Sequence, residues 1–270
     1  MKFRALRLVA TACVPVLLFA ACGDDDDDDA GRDEDDSSTT DAPAPTLEGD
    51  ITVFAAASLT DAFGEVGTAF EDANPDVNVE LNFGPSSGLR EQIVAGAPAD
   101  VFASANTSNM DQIVEAGAAN DPRDFATNLL EIVVPAGNEA GVNGLADFAD
   151  ADLLIGLCAE EVPCGDFGRE ALANAEVTPA IDSNEPDVRS LLTKVEAGEL
   201  DAGIVYVTDV LSAGDAVEGI EIPADDNVTA TYPLSTLTEA GNTEVADAFV
   251  AFVLSDEGQE ILASYGFDSP

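Results

Sequence analysis

Histidine and tryptophan are absent from this chain of 270 residues, and lysine plus arginine number only 9 against 54 acidic side chains, for a formal net charge of -45. Without histidine no imidazole can activate Ser58 or Ser86, and no Gly-x-Ser-x-Gly elbow surrounds either one, so a serine hydrolase is excluded and the chain is read as a binder rather than an enzyme. The shortage of cations makes nucleic acid an unsuitable partner. A zinc centre needs more Cys or His than this sequence owns. The lack of tryptophan removes the aromatic walls of a polyamine cleft, and a ferric site of paired tyrosines is argued against because Tyr206, Tyr232 and Tyr265 lie far apart in sequence.

Long apolar runs are also scarce. Lys2, Arg4 and Arg7 precede one short run, Leu8 to Ala20, which has the form of an export signal and is too short to span a membrane. Residues 1–21 are therefore expected to be a signal peptide. The segment Phe19-Ala20-Ala21-Cys22-Gly23 resembles a bacterial lipoprotein cleavage site, which implies lipidation of Cys22 and anchoring at the outer face of the cell membrane. Ordinary signal cleavage beside an incidental cysteine is the alternative. Residues 22–48 begin with the aspartate run Asp24 to Asp29 and stay acidic, Ser/Thr-rich and without apolar periodicity; such a segment cannot bury enough to fold and self-repels into an extended tether. The run lacks the glycine-turned spacing of a calcium loop. Of the 4 cysteines, export leaves Cys158 and Cys164 as a close pair in the body. An oxidising compartment favours a local disulfide there over two buried thiols.

Hydrophobic content of 46% supports a core beyond residue 49, where short apolar runs alternate with amphipathic helices, the pattern of α/β layers with mainly parallel sheets. Strands are expected at Ile51 to Ala55, Val77 to Phe83, Val101 to Ala103, Leu129 to Val134, Leu153 to Leu157, Ile204 to Val207 and Thr231 to Thr236. Helices are expected to start near Ser58, Ser87, Ser108, Gly165, Asp187, Asn242 and Asp256. Two strand-to-helix junctions carry serine: Ala55-Ala56-Ala57-Ser58-Leu59, and Gly84-Pro85-Ser86-Ser87-Gly88. Each aims free backbone N–H groups, a helix dipole and a hydroxyl at one point, as an anion site does. A plain serine N-cap accounts for the same residues. Further helix starts at Pro163-Cys164-Gly165 and Asp187-Val188-Arg189, with Tyr206 at the end of a strand, complete a possible cage at the carboxyl edge of the sheets.

Several segments together resemble the molybdate-binding, substrate-binding lipoproteins of ATP-binding-cassette importers: Val53-Phe54-Ala55-Ala56-Ala57-Ser58-Leu59, Ser86-Ser87-Gly88-Leu89-Arg90, Gly96-Ala97-Pro98-Ala99-Asp100-Val101, Val162-Pro163-Cys164-Gly165, Asp187-Val188-Arg189, Gly203-Ile204-Val205-Tyr206 and Tyr265-Gly266-Phe267. The resemblance implies a type II periplasmic-binding-protein fold of two α/β lobes joined by two crossover strands. Lobe one would hold residues 49–130 and 235–270, and lobe two residues 131–234. It also implies an oxyanion, molybdate or tungstate, contacted only through its oxygens by Ser58, Ser86, the backbone N–H of Cys164 and Val188, and the phenol of Tyr206. No cofactor is implied. The expected partners are that oxyanion, a permease in the cytoplasmic membrane and, through the lipid, the membrane itself, with the protein acting as a monomer.

A cage of neutral donors is also sound on physical grounds. Hydrogen bonds to a fully ionised oxyanion are about twice as strong as neutral ones, and converging helix N-termini supply the compensating field. After the tether the cations are Arg90, Arg123, Arg169, Arg189 and Lys194; Arg90 and Arg189 flank two of the anion helices, but surface ion pairs with the many carboxylates suit them better. Asp61 and Asp187 lie near helix starts, where they could accept the proton of a protonated phosphate, but favouring the dipole suits them better. Sulfate or phosphate carriage, or a surface lipoprotein without a transport role, are the alternatives.

Overall fold

A computed structural model describes residues 46–270. The signal peptide, the lipidated Cys22 and nearly all of the expected tether lie outside the described residues.

Nine strands form one continuous system in the order β2-β1-β3-β9-β4-β7-β5-β6, with β8 paired to β4. Strands β1 (Gly49–Ala56), β2 (Val77–Gly84) and β3 (Val101–Ala103) pair in parallel. So do β5 (Ile155–Cys158), β6 (Ser183–Glu185) and β7 (Ala202–Tyr206). Among the described residues, every antiparallel pairing between these strands involves β4 (Arg123–Pro135) or β9 (Thr229–Thr236). The first half of β4 pairs with β9, and its second half pairs with β7 and with β8 (Val217–Glu221). This strand thus passes from one parallel set to the other, and β9, bonded to both β3 and β4, runs beside it. The molecule is a mixed α/β fold of two parallel sheets joined by a pair of long strands.

The first sheet is packed by α1 (Thr60–Ala73), entered through a 3-10 turn at Ala57–Leu59. Its apolar residues recur at helical spacing, Leu59, Ala62, Phe63, Val66 and Phe70, and all are buried. Phe63 and Phe70 meet Phe249 of α7 (Thr243–Val253) edge-on, with ring centroids 6.2 and 5.4 Å apart. Phe63 also meets Phe125 of β4 at 5.6 Å. Such pairs add about 0.5–1.5 kcal/mol beyond the area they bury. They fix where α1 begins, and hence where Ser58 sits.

The expected strands all exist, but three pieces of structure go beyond them. β4 starts at Arg123 rather than Leu129 because Arg123-Asp124-Phe125-Ala126-Thr127-Asn128 has no continuous apolar run; its ladder with β9 makes it a strand. β6 and β8 are short and polar, Ser-Asn-Glu and Val-Glu-Gly-Ile-Glu, and are held by their neighbours rather than by pattern. The apolar run read through Val207 ends one residue earlier, and Val207 opens α6 (Val207–Ala213), a helix absent from the sequence-based expectation. Helices α2 (Ser86–Val94), α3 (Thr107–Glu115), α4 (Pro163–Asn174), α5 (Val188–Glu196) and α8 (Asp256–Ser264) complete the layers near their expected starts.

Candidate oxyanion site

Each parallel strand delivers its following residues to the carboxyl edge of its sheet, the place where open α/β sheets bind ligands. β1 leads to Ser58, β2 to Ser86, β5 to Cys164, β6 to Val188, and β7 ends on Tyr206. All five line one cavity, together with Ala105, Pro85 and Asp187 among others. The cavity admits atom centres over about 20 Å³, the volume of a sphere roughly 1.7 Å in radius. One central atom with oxygens a single bond away fills such a space, and no Lys or Arg is on its wall.

Neither serine is a helix cap. Ser58 lies in the 3-10 turn before α1, and its Oγ is 3.0 Å from Tyr232 Oη. Ser86 is the first residue of α2, whose N-cap is Pro85, and its Oγ accepts the N–H of Ala105 at 3.0 Å. Both are buried. Helix capping, which would have accounted for them in sequence, is therefore not what holds these hydroxyls.

On the other side, Pro163 occupies the first turn of α4, so Cys164 presents an N–H that has no intrahelical acceptor. Val188, the first residue of α5, presents another. Cys164 is disulfide-bonded to Cys158, Cα atoms 5.7 Å apart, which ties the start of α4 back to the end of β5. Gly165 is required at the next position: a Cβ there would collide with the backbone carbonyls of Cys158 and Ala159. Arg169 secures the same turn by donating to the carbonyls of Cys158 and Gly165, both at 2.8 Å.

Among the described residues, the buried Tyr206 Oη has no hydrogen-bond partner of ordinary geometry. A hydroxyl left so costs about 1–3 kcal/mol, unless a ligand supplies the acceptor. Burial drives the phenol well above the ordinary tyrosine range; burial also raises Tyr232. Both remain protonated donors. The fold brings these two tyrosines together, rings 6.0 Å apart, which corrects the expectation from sequence that the three tyrosines are scattered. Only Tyr265 stands apart, donating to Glu65 at 2.8 Å. Separation of the tyrosines therefore gives no ground against a paired site.

The flanking charges are all engaged elsewhere. Asp187 caps α5 by accepting from Ser190 N at 2.8 Å. Arg90 bonds Asn109 and Gln112 at 2.9 and 2.8 Å and pairs with exposed Glu91. Arg189 forms an ion pair with Asp61 of α1 and also approaches the Ala57 carbonyl at 3.4 Å. Its Nε lies 3.6 Å from the buried carboxylate of Asp209. Arg189 is thus more than a surface ion pair, because it joins α5 to α1, to the turn that carries Ser58 and to the buried Asp209. Asp209 and Tyr232 were not singled out as site residues in the sequence; neither sits in a junction pattern, and only the fold brings them in.

Residues 51–268 match the model of a family described as bacterial extracellular solute-binding protein. The chain belongs to this family. The molybdate-binding protein ModA of Mycobacterium tuberculosis is 40% identical over 234 residues, covering 85% of this chain and 89% of that one. A putative ABC transporter substrate-binding lipoprotein, YvgL of Bacillus subtilis, is 31% identical over 80% of this chain and 85% of its own. Among solved structures, the substrate-binding domain of a putative molybdenum ABC transporter from Clostridium difficile superposes with a TM-score of 0.63 at 27% identity, over 82% of this chain and 99% of that one. As an extracellular solute-binding protein the chain is not an enzyme.

Proposed function

We propose that this solute-binding protein captures molybdate, and tungstate equally, and delivers it to an ATP-binding-cassette permease. One observation carries the ligand class: Ser58, Ser86, Cys164, Val188 and Tyr206 all line one small cavity with no basic side chain on its wall, and the buried Tyr206 phenol finds no partner among the described residues. A dianion is the ligand that satisfies so many donors at once. The identity of the ion draws support from the molybdate-binding relative at 40% identity. Sulfate is smaller and would leave donors unpaired on at least one side, which is costly in a closed site. A protonated phosphate brings a hydrogen, and the carboxylate on the wall that could accept it, Asp187, is committed through one oxygen to capping α5.

In this reading Ser58 and Ser86 belong to one lobe, residues 49–130 and 235–270, while Cys164, Val188 and Tyr206 belong to the other, residues 131–234. The anion is gripped fully only when the lobes shut, so closure reports occupancy to the permease. The mature protein acts as a monomer held outside the cytoplasmic membrane by a lipidated Cys22, a role supported by the lipoprotein relative.

Isothermal titration with molybdate, tungstate, sulfate and phosphate tests the proposal. Molybdate and tungstate should bind with similar affinity, sulfate far more weakly and phosphate not at all. Ser58→Ala and Ser86→Ala should each weaken molybdate about tenfold to a hundredfold, the worth of a hydrogen bond to a charged group, and each should also lower the melting temperature by a few degrees without unfolding the protein, because Tyr232 Oη and the Ala105 N–H lose a buried partner. Tight binding of sulfate in preference to molybdate would overturn the assignment.

A further inference from the structure

A serine hydroxyl has one proton and two lone pairs, so by itself it can serve a cavity as donor or as acceptor. At Ser86 the choice is made by the fold, because the Ala105 N–H occupies a lone pair of Oγ and the proton is left to point elsewhere. At Ser58 the corresponding partner is Tyr232 Oη, 3.0 Å away, reaching from β9. Tyr232 is fully buried and is not on the cavity wall. Its ring is held edge-on by Tyr206, Phe125 and Phe267, with centroids 6.0, 6.2 and 5.4 Å away. The hydroxyl position is therefore fixed by packing.

Of the two hydroxyls the phenol is the more acidic and the better donor. We infer that Tyr232 is a positioning residue that donates to Ser58 Oγ, holds that hydroxyl in place and commits its proton to the ligand in the cavity. The result is a chain of two hydrogen bonds, Tyr232 to Ser58 to anion, in which each bond polarises the next. Burial raises the Tyr232 phenol above the ordinary tyrosine range, outweighing the opposing effect of Ser58, Asn128 and Tyr206, so the first donor in the chain keeps its proton at neutral pH. Tyr232 does not touch the ligand and acts only through Ser58. The inference rests on the oxyanion reading of the cavity.

A double-mutant cycle on the purified protein tests it. Tyr232→Phe should weaken molybdate binding about fivefold to tenfold in the natural background and by less than twofold in the Ser58→Ala background, since the phenol then has no hydroxyl to direct. An equal loss in both backgrounds would mean that Tyr232 only supports the fold, and would overturn the inference while leaving the oxyanion site standing. Failure of the unaltered protein to bind any tetrahedral dianion would remove the oxyanion reading itself. A second measurement needs no variant. In protein labelled at tyrosine Cζ, NMR should show Tyr232 as a hydrogen-bond donor with and without molybdate, its hydroxyl proton moving downfield when the ion binds; a Tyr232 that accepts from Ser58, or does not respond to molybdate, would contradict the chain.

Discussion

Asp209 carries its carboxylate fully enclosed beneath the cavity, where it accepts the Tyr206 N–H at 3.1 Å and leaves Oδ1 without a hydrogen bond. Burial raises its pKa from 3.8 to about 7; Arg189 opposes the rise, while Asp61 and Asp187 add to it. Between those two values the folded chain holds a proton that the unfolded chain has released, so this group makes stability fall as pH rises. From pH 5 to pH 8 the loss should be roughly 2–3 kcal/mol, levelling off above the folded pKa. Denaturant titration at the two pH values should show that loss shrinking markedly in Asp209→Asn. The repulsion of the many surface carboxylates acts in the same direction in both proteins, so the comparison isolates Asp209. A slope unchanged by the substitution would remove the residue as its source. At this scale the convergence of the proposed donors was legible because strand-to-helix junctions announce them: Ser58, Ser86, Cys164, Val188 and Tyr206 all line one cavity. Asp209 and Tyr232 were not, because their roles depend on which strand and helix come to lie beside which.

The elements that set the donors are short turns held by specific bonds. The start of α4 is fixed by the Cys158–Cys164 disulfide, by the Arg169 guanidinium over the same turn and by the close approach that Gly165 permits. Closing so short a loop contributes about 2 kcal/mol by restricting the unfolded chain. Replacing both cysteines by serine should therefore lower the melting temperature measurably, and it should also weaken molybdate binding because the Cys164 N–H loses its fixed direction. Calorimetry that found lower stability but unaltered affinity would show that the disulfide serves the fold alone. Strands rich in apolar residues, such as Ile51-Thr52-Val53-Phe54 and Gly203-Ile204-Val205, could be read directly. The first half of β4, and the short β6 and β8, could not, since their polar residues pair only because a neighbouring strand offers its edge. α6 was hidden for a related reason: Val207 continues the apolar run of β7, and nothing in the sequence marks the turn into a helix of seven residues.

For the whole molecule, alternation of strand and helix predicts the α/β class, and the two parallel sets joined through β4 and β9 realise it. A chain with a formal charge of -45 repels a dianion at long range. Capture must then come from short-range donors, and the cations nearest the cavity are already committed, Arg189 to Asp61 and Arg90 to Asn109 and Gln112. The central claim is that a doubly charged ion is held by neutral dipoles from both sheets. A crystal structure of the protein with molybdate, with anomalous data collected at the molybdenum edge, tests it most directly. The account predicts one molybdenum peak in the cavity, its oxygens within hydrogen-bond distance of Ser58, Ser86 and Tyr206 hydroxyls and of the Cys164 and Val188 N–H groups. A peak elsewhere, or one with a lysine or arginine side chain bonded to the ion, would contradict it.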